Sequence, residues 1–191
     1  MFEDKQIAEQ RYWEKRKKFT GIGTGIYSRD ELLEFREFRL FSGKVGVILP
    51  VVFNDMEIEE ARQKYHSEQR PEIIKTNSDG SINFAFNLVG QADPNRKPET
   101  IIFDFRRMMK LLHPTNICLN IDSKPDAPCP YAWMEFTSCA VNENLYNMLS
   151  LYLIGDELLM MMFNCPLEER TEWLLCLSQI REMVIDYSKE V

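Results

Sequence analysis

The chain has 191 residues, 45% hydrophobic and 28% charged, with 23 lysines and arginines against 30 aspartates and glutamates for a net charge of −7. Such a chain is long enough to bury a substantial core, and its acidic balance disfavours nucleic acid and anionic membranes as partners except at a locally basic patch. Its longest unbroken apolar run, Leu158–Phe163, has six residues, far short of the ~18 needed for a membrane span, and the first eighteen residues build no apolar h-region of a secretory signal.

Residues 5–18 (KQIAEQRYWEKRKK) are good helix formers, and residues 1–18 hold six basic against four acidic side chains. They read as an N-terminal helical arm that could present Tyr12 and Trp13 to a protein partner, or as a peripheral helix with solvated charges. Gly21-Ile22-Gly23-Thr24-Gly25 has glycine spacing like a phosphate-cradling loop. It lacks the preceding strand, the GxGxxG register and the GK[ST] ending that give such loops their mechanism. A flexible linker is expected, so that arm and linker occupy 1–34 and a single domain occupies 35–191.

Phe38–Phe41 and Val45–Leu49 flank Ser42-Gly43 as a hairpin closed by Pro50. Asn54 or Asp55 is expected to cap a helix through Met56, Ile58, Ala61 and Tyr65, with Glu57, Glu59 and Glu60 in its first turns. Ile73–Thr76 and Ile82–Val89 form a second hairpin around Asp79-Gly80, where glycine supplies positive φ cheaply. Residues 101, 102, 105, 108, 109 and 112 form the apolar stripe of an amphipathic helix over Glu99–Leu112, which Pro114 ends. A short strand, Ile117–Ile121, leads to the loop Asp122–Pro130 with its three prolines. Strands at Tyr131–Val141, Leu145–Ile154 and Glu157–Asn164 are joined by turns too short for anything but antiparallel pairing. Apolar residues of both parities (Leu149 and Leu151 against Tyr146, Met148 and Tyr152) require cover on both faces. The Met160–Met162 run is accordingly read as buried strand rather than as a plastic binding surface. The last helix is expected over Pro166–Tyr187, with Pro166 at N1 and Trp173, Leu177, Ile180, Val184 and Tyr187 on one face. The fold class is therefore α+β: an antiparallel sheet sandwiched by helices, preceded by a helical arm.

The candidate chemistry is sparse. Five cysteines at 118, 129, 139, 165 and 176 include no CxxC pair, and read as free thiols in a reducing, cytoplasmic compartment. Neither that spacing nor the two histidines, His66 and His113, suit structural zinc, and no metal or cofactor is expected. Both histidines fall where helices end, a position that suits imidazole beside the last carbonyls. Asp104 and Arg107, three residues apart, suit a surface ion pair more than a general base. A thiol-dependent hydrolase or transferase would need Cys129 and His113 to meet at a cleft.

From residue 38 the inferred order is ββ-α-ββ-α-ββββ-α. That order, the stretch RLFSGKVGVILPVVF, and the closing span from Ala132-Trp133-Met134-Glu135 through Phe163-Asn164-Cys165-Pro166 to Trp173 and Ile180 resemble the Mog1/PsbP-like α/β/α sandwich. The resemblance covers about 38–187. Members of that superfamily are mostly non-enzymatic: they include a binder of a small nuclear GTPase, an extrinsic photosystem subunit and bacterial chaperones of secretion-system effectors. The resemblance thus implies a bacterial adaptor or chaperone-like protein without catalytic residues, whose partner is another protein. Candidate contacts are Tyr12 and Trp13 on the arm and Tyr131 and Trp133 beside the proline loop, provided that these aromatics are exposed. A structural homodimer through an exposed edge strand is the further alternative.

Overall fold

The computed structural model describes residues 14, 16–28, 31–65, 70–90, 96–140 and 143–190. Glu14 and Arg16 are helical; after them come strands β1 (Thr20–Gly21), β2 (Gly25–Ser28) and β3 (Glu31–Leu33), then the hairpin β4 (Phe35–Leu40) and β5 (Val45–Pro50). There follow β6 (Asn54–Asp55), α1 (Ile58–Lys64), β7 (Ile73–Thr76), β8 (Asn83–Val89), α2 (Pro98–Leu112), β9 (Ile117–Lys124) and β10 (Tyr131–Cys139). The chain continues with β11 (Asn144–Ile154), β12 (Glu157–Pro166), a 3₁₀ turn (Leu167–Glu169), α3 (Arg170–Glu182) and β13 (Ile185–Asp186). Among the described residues the main sheet has seven strands in the order β6-β7-β8-β12-β11-β10-β9, every neighbouring pair antiparallel.

The two parities of the long strands serve two cores. On one face Tyr131, Trp133, Tyr146, Met148, Tyr152, Met161 and Phe163 pack against α3 and the β4–β5 hairpin. Phe84, Phe163 and Trp173 form its aromatic centre, with ring centroids 4.9 Å (Phe84–Phe163) and 5.3 Å (Phe163–Trp173) apart. On the other face Ala132, Met134, Leu149 and Leu151 pack beneath α2, while Met56, Ile74 and Ala85 meet the side chains of α1. The expected sheet sandwiched by helices is what forms, with two additions, the first being a separate three-stranded sheet of β1, β2 and β3. The β4–β5 hairpin leaves the main sheet and pairs with β13 in a small sheet of its own.

Four local expectations are corrected. Asn54 and Asp55 do not cap α1, because their backbones pair with Thr76 and Lys75 as strand β6. Gly21–Gly25 is not a flexible linker: Gly25 takes φ 94° in a tight β1–β2 turn, and Ile22 and Ile26 join the main core. The Ile22 N–H donates to Gln179 Oε1 at 2.8 Å, tying this turn to α3. Pro166 still pairs with Leu145 at the end of β12, so α3 begins only at Arg170, and it stops at Glu182 because Ile185 and Asp186 pair with β5. Strand β9 runs on to Lys124, shortening the proline loop.

Candidate protein-binding surface

Helix α2 starts with Pro98, whose missing N–H costs nothing in a first turn, and Glu99 complements the dipole there. Ile101, Ile102 and Met109 are buried on the sheet, but the apolar stripe outruns its cover. Met108 is 52% exposed, Leu112 64% and Leu111 80%. Beneath this last turn lies a groove of about 440 Å³ between α2 and the strands, lined by Met108, Met109, Met134, Met160, Met162 and Leu112 among others. A second hollow of about 590 Å³ on the helix's other shoulder shares Phe105 and Met108 with it. The methionine run divides by parity: Met161 is fully buried in the aromatic core, whereas Met160 and Met162 stay half-buried and floor the groove. The stripe itself is legible as helix; its uncovered end is not, since periodicity shows which side is apolar but not how far the opposing layer reaches.

Tyr131 and Trp133 are core residues, 1% and 6% exposed. The Tyr131 ring lies 5.3 Å from Tyr152 and 5.6 Å from Trp133, and the Arg181 guanidinium sits 4.2 Å over the indole of Trp133. The exposure that a contact role required of them is therefore absent, because odd-numbered β10 residues face α3. Tyr12, Trp13 and His66 lie outside the described residues. Cys129 and His113 fall on opposite faces of the sheet: Cys129 is buried in the core beneath α3, and His113 closes α2 above the groove. Burial, with a lesser effect of Asp186, pushes the Cys129 thiol up to about 12, so the thiolate that nucleophilic chemistry requires is scarce at neutral pH. These observations remove the Cys129–His113 pairing. Asp104 does pair with Arg107, at 4.0 Å, and also with Arg96.

One polar residue is not singled out by any sequence pattern. Glu135 is buried on β10 facing α3, where Arg170 Nη2 meets its carboxylate at 3.2 Å and Asn120 and the Trp133 indole each donate at 3.4 Å. Burial opposes its ionisation, but hydrogen bonds from Tyr146, Arg170, Asn120 and Trp133 outweigh it and hold the carboxyl below its usual value. Arg170 is the first residue of α3, so the cluster anchors that helix to the sheet rather than opening to a substrate. Among the described residues no group of three or more His, Cys, Asp and Glu side chains could hold a metal ion, and no helix is long and apolar enough to cross a membrane.

No protein-family model matches this sequence, and no curated protein matches it. Solved structures do match. The chain superposes on cyanobacterial PsbP (CyanoP) from Synechocystis sp. PCC 6803 with a TM-score of 0.61 over 86% of its length and 99% of that protein, at 6% identity. The fold is Mog1/PsbP-like. LpqN of Mycobacterium tuberculosis, described as involved in cell envelope biogenesis, matches with a TM-score of 0.53 at 10% identity, over 83% of this chain and 93% of that one. At such identities the comparison shows the fold alone, so residue roles rest on the geometry of this chain.

Proposed function

We propose that the protein is a non-catalytic binding module, an adaptor or chaperone-like accessory protein of the bacterial cytoplasm, which docks another protein on α2 and the groove beside it. One observation carries this reading: the last turn of α2 holds Met108, Leu111 and Leu112 in solvent above a methionine-lined hollow. Contiguous exposed apolar surface of that kind marks interaction sites, and methionine adapts to varied partners. The five unpaired thiols support a reducing compartment. Similarity in fold to PsbP and LpqN supports an accessory role rather than a reaction. Co-purification from the native host with wild-type, Met108→Glu and Leu111→Glu baits tests the reading. A partner retained by the wild type and lost from both variants is expected; a partner held equally by all three would refute α2 as the surface. Turnover in a hydrolase screen that disappears in His113→Ala would refute the non-catalytic assignment.

A second reading, a homodimer, is favoured by β9. It is an eight-residue edge strand with Ile117 and Leu119 exposed, and such an edge offers a template for pairing. Light scattering across a concentration series, on the wild type and on a variant with proline at Leu119, separates the two readings. A dimer abolished by that proline would favour self-association.

A further inference from the structure

The protein is acidic, yet residues 105–116 include Arg106, Arg107 and Lys110 and no aspartate or glutamate. Among the described residues, Arg106 and Lys110 pair with no carboxylate, and Arg107, almost fully exposed, reaches only Asp104 at 4.0 Å. Asp104 is itself engaged by Arg96. The Arg106 Nε is shielded from solvent without a hydrogen-bond partner. Arg107 lines the hollow on the outer shoulder of α2 together with Met108 and Leu111, and Lys110, exposed, stands beside it on the same helix, so cations flank the apolar residues that stand in solvent. A local field of that sign on a net-negative molecule draws acidic groups and turns away basic ones. A lipid surface is flat and would meet the projecting leucines while leaving the hollow empty; the side chains of a polypeptide can enter it.

We propose that the exposed side of α2 holds an acidic amphipathic segment of a partner protein, with aliphatic side chains seated among Met108, Leu111 and Leu112 and carboxylates against Arg107 and Lys110. This specifies the partner of the docking surface proposed above and rests on that reading. The recognition follows the helix-in-groove mode, in which anchors at i, i+3, i+4 and i+7 supply the apolar contact. Charge then sets which segments are admitted.

The test uses two fluorescein-labelled 18-residue peptides with the same leucine face, one with glutamate and one with lysine at every other position. Their binding to the full chain is followed by fluorescence anisotropy. The glutamate peptide is expected to bind at least tenfold tighter, and more weakly as salt rises. The exposed double variant Arg107→Glu, Lys110→Glu should reverse the preference, and Leu111→Asp should weaken both peptides. Equal binding of both peptides, still lost in Leu111→Asp, would overturn the acidic partner and leave the docking surface standing. Binding of neither peptide would overturn both. Binding to phosphatidylglycerol vesicles, lost in the charge-reversed variant and without binding to either peptide, would assign the patch to lipid and overturn the proposal.

Discussion

Glu135 and its partners show how a single charged side chain can organise a layer. Its folded-state carboxyl titrates below the usual value because Tyr146, Arg170, Asn120 and Trp133 donate to the ionised form against the cost of burial. The ionised group therefore adds stability above the ordinary carboxylate pKa, and that contribution is lost as pH falls through the lowered value. Glu135→Gln is expected to cost on the order of 2 kcal/mol at neutral pH, as for a buried hydrogen-bonded charge. In urea unfolding the difference from wild type should narrow between about pH 5 and 3; a gap independent of pH would contradict the assignment. The thiols offer a second check at this scale. Cys139 is exposed while Cys129, Cys165 and Cys176 are buried, burial pushing Cys129 and Cys165 up to about 12. In the native protein Cys139 should be alkylated first and those three only after denaturation. Burial of cysteine is legible from its apolar neighbours. The role of Glu135 is not, because the arginine that pairs with it lies 35 residues further on.

Among the elements, α2 has one side buried on the sheet and an exposed apolar side to which docking is proposed. Ile102→Ala or Met109→Ala should destabilise by about 2–4 kcal/mol through lost burial and a cavity above the sheet. Leu111→Glu should change stability by no more than about 0.5 kcal/mol, while altering binding. Chemical denaturation of the three variants separates the structural side from the docking side. The β4–β5 turn is strained: Phe41 and Ser42 adopt φ 52° and 54°, a region that glycine or asparagine occupies at lower cost. The Phe41 ring packs against the core and holds its position there, so relief is available at its neighbour. Ser42→Gly is expected to stabilise by about 1 kcal/mol, raising the melting temperature. That hairpin, the long meander and α2 are all readable from period and turn residues. The start of α3 is not, because Pro166 suits a helix's first turn and also a strand's end, and only the pairing of Pro166 with Leu145 decides between them.

At the scale of the molecule, the two faces of one antiparallel sheet have unequal cover. The face beneath α3 is filled by an aromatic core to which the β4–β5 hairpin, α3 and the turn at Ile22 all contribute. The opposite face is covered by α1 and α2, and the cover ends while apolar side chains still project. Alternation on both parities makes two covered faces legible; their inequality depends on the length and placement of the helices, which no local pattern encodes. The proposed docking role rests on the incomplete face and on the cations of α2 beside it. Site-specific photo-crosslinking in the native cell tests that role most directly, with benzoylphenylalanine placed in turn at Leu111 on α2 and at Leu175, an exposed apolar position on α3. A discrete protein adduct from position 111 and none from position 175 is predicted. Adducts of equal yield from both positions, or from 175 alone, would contradict it.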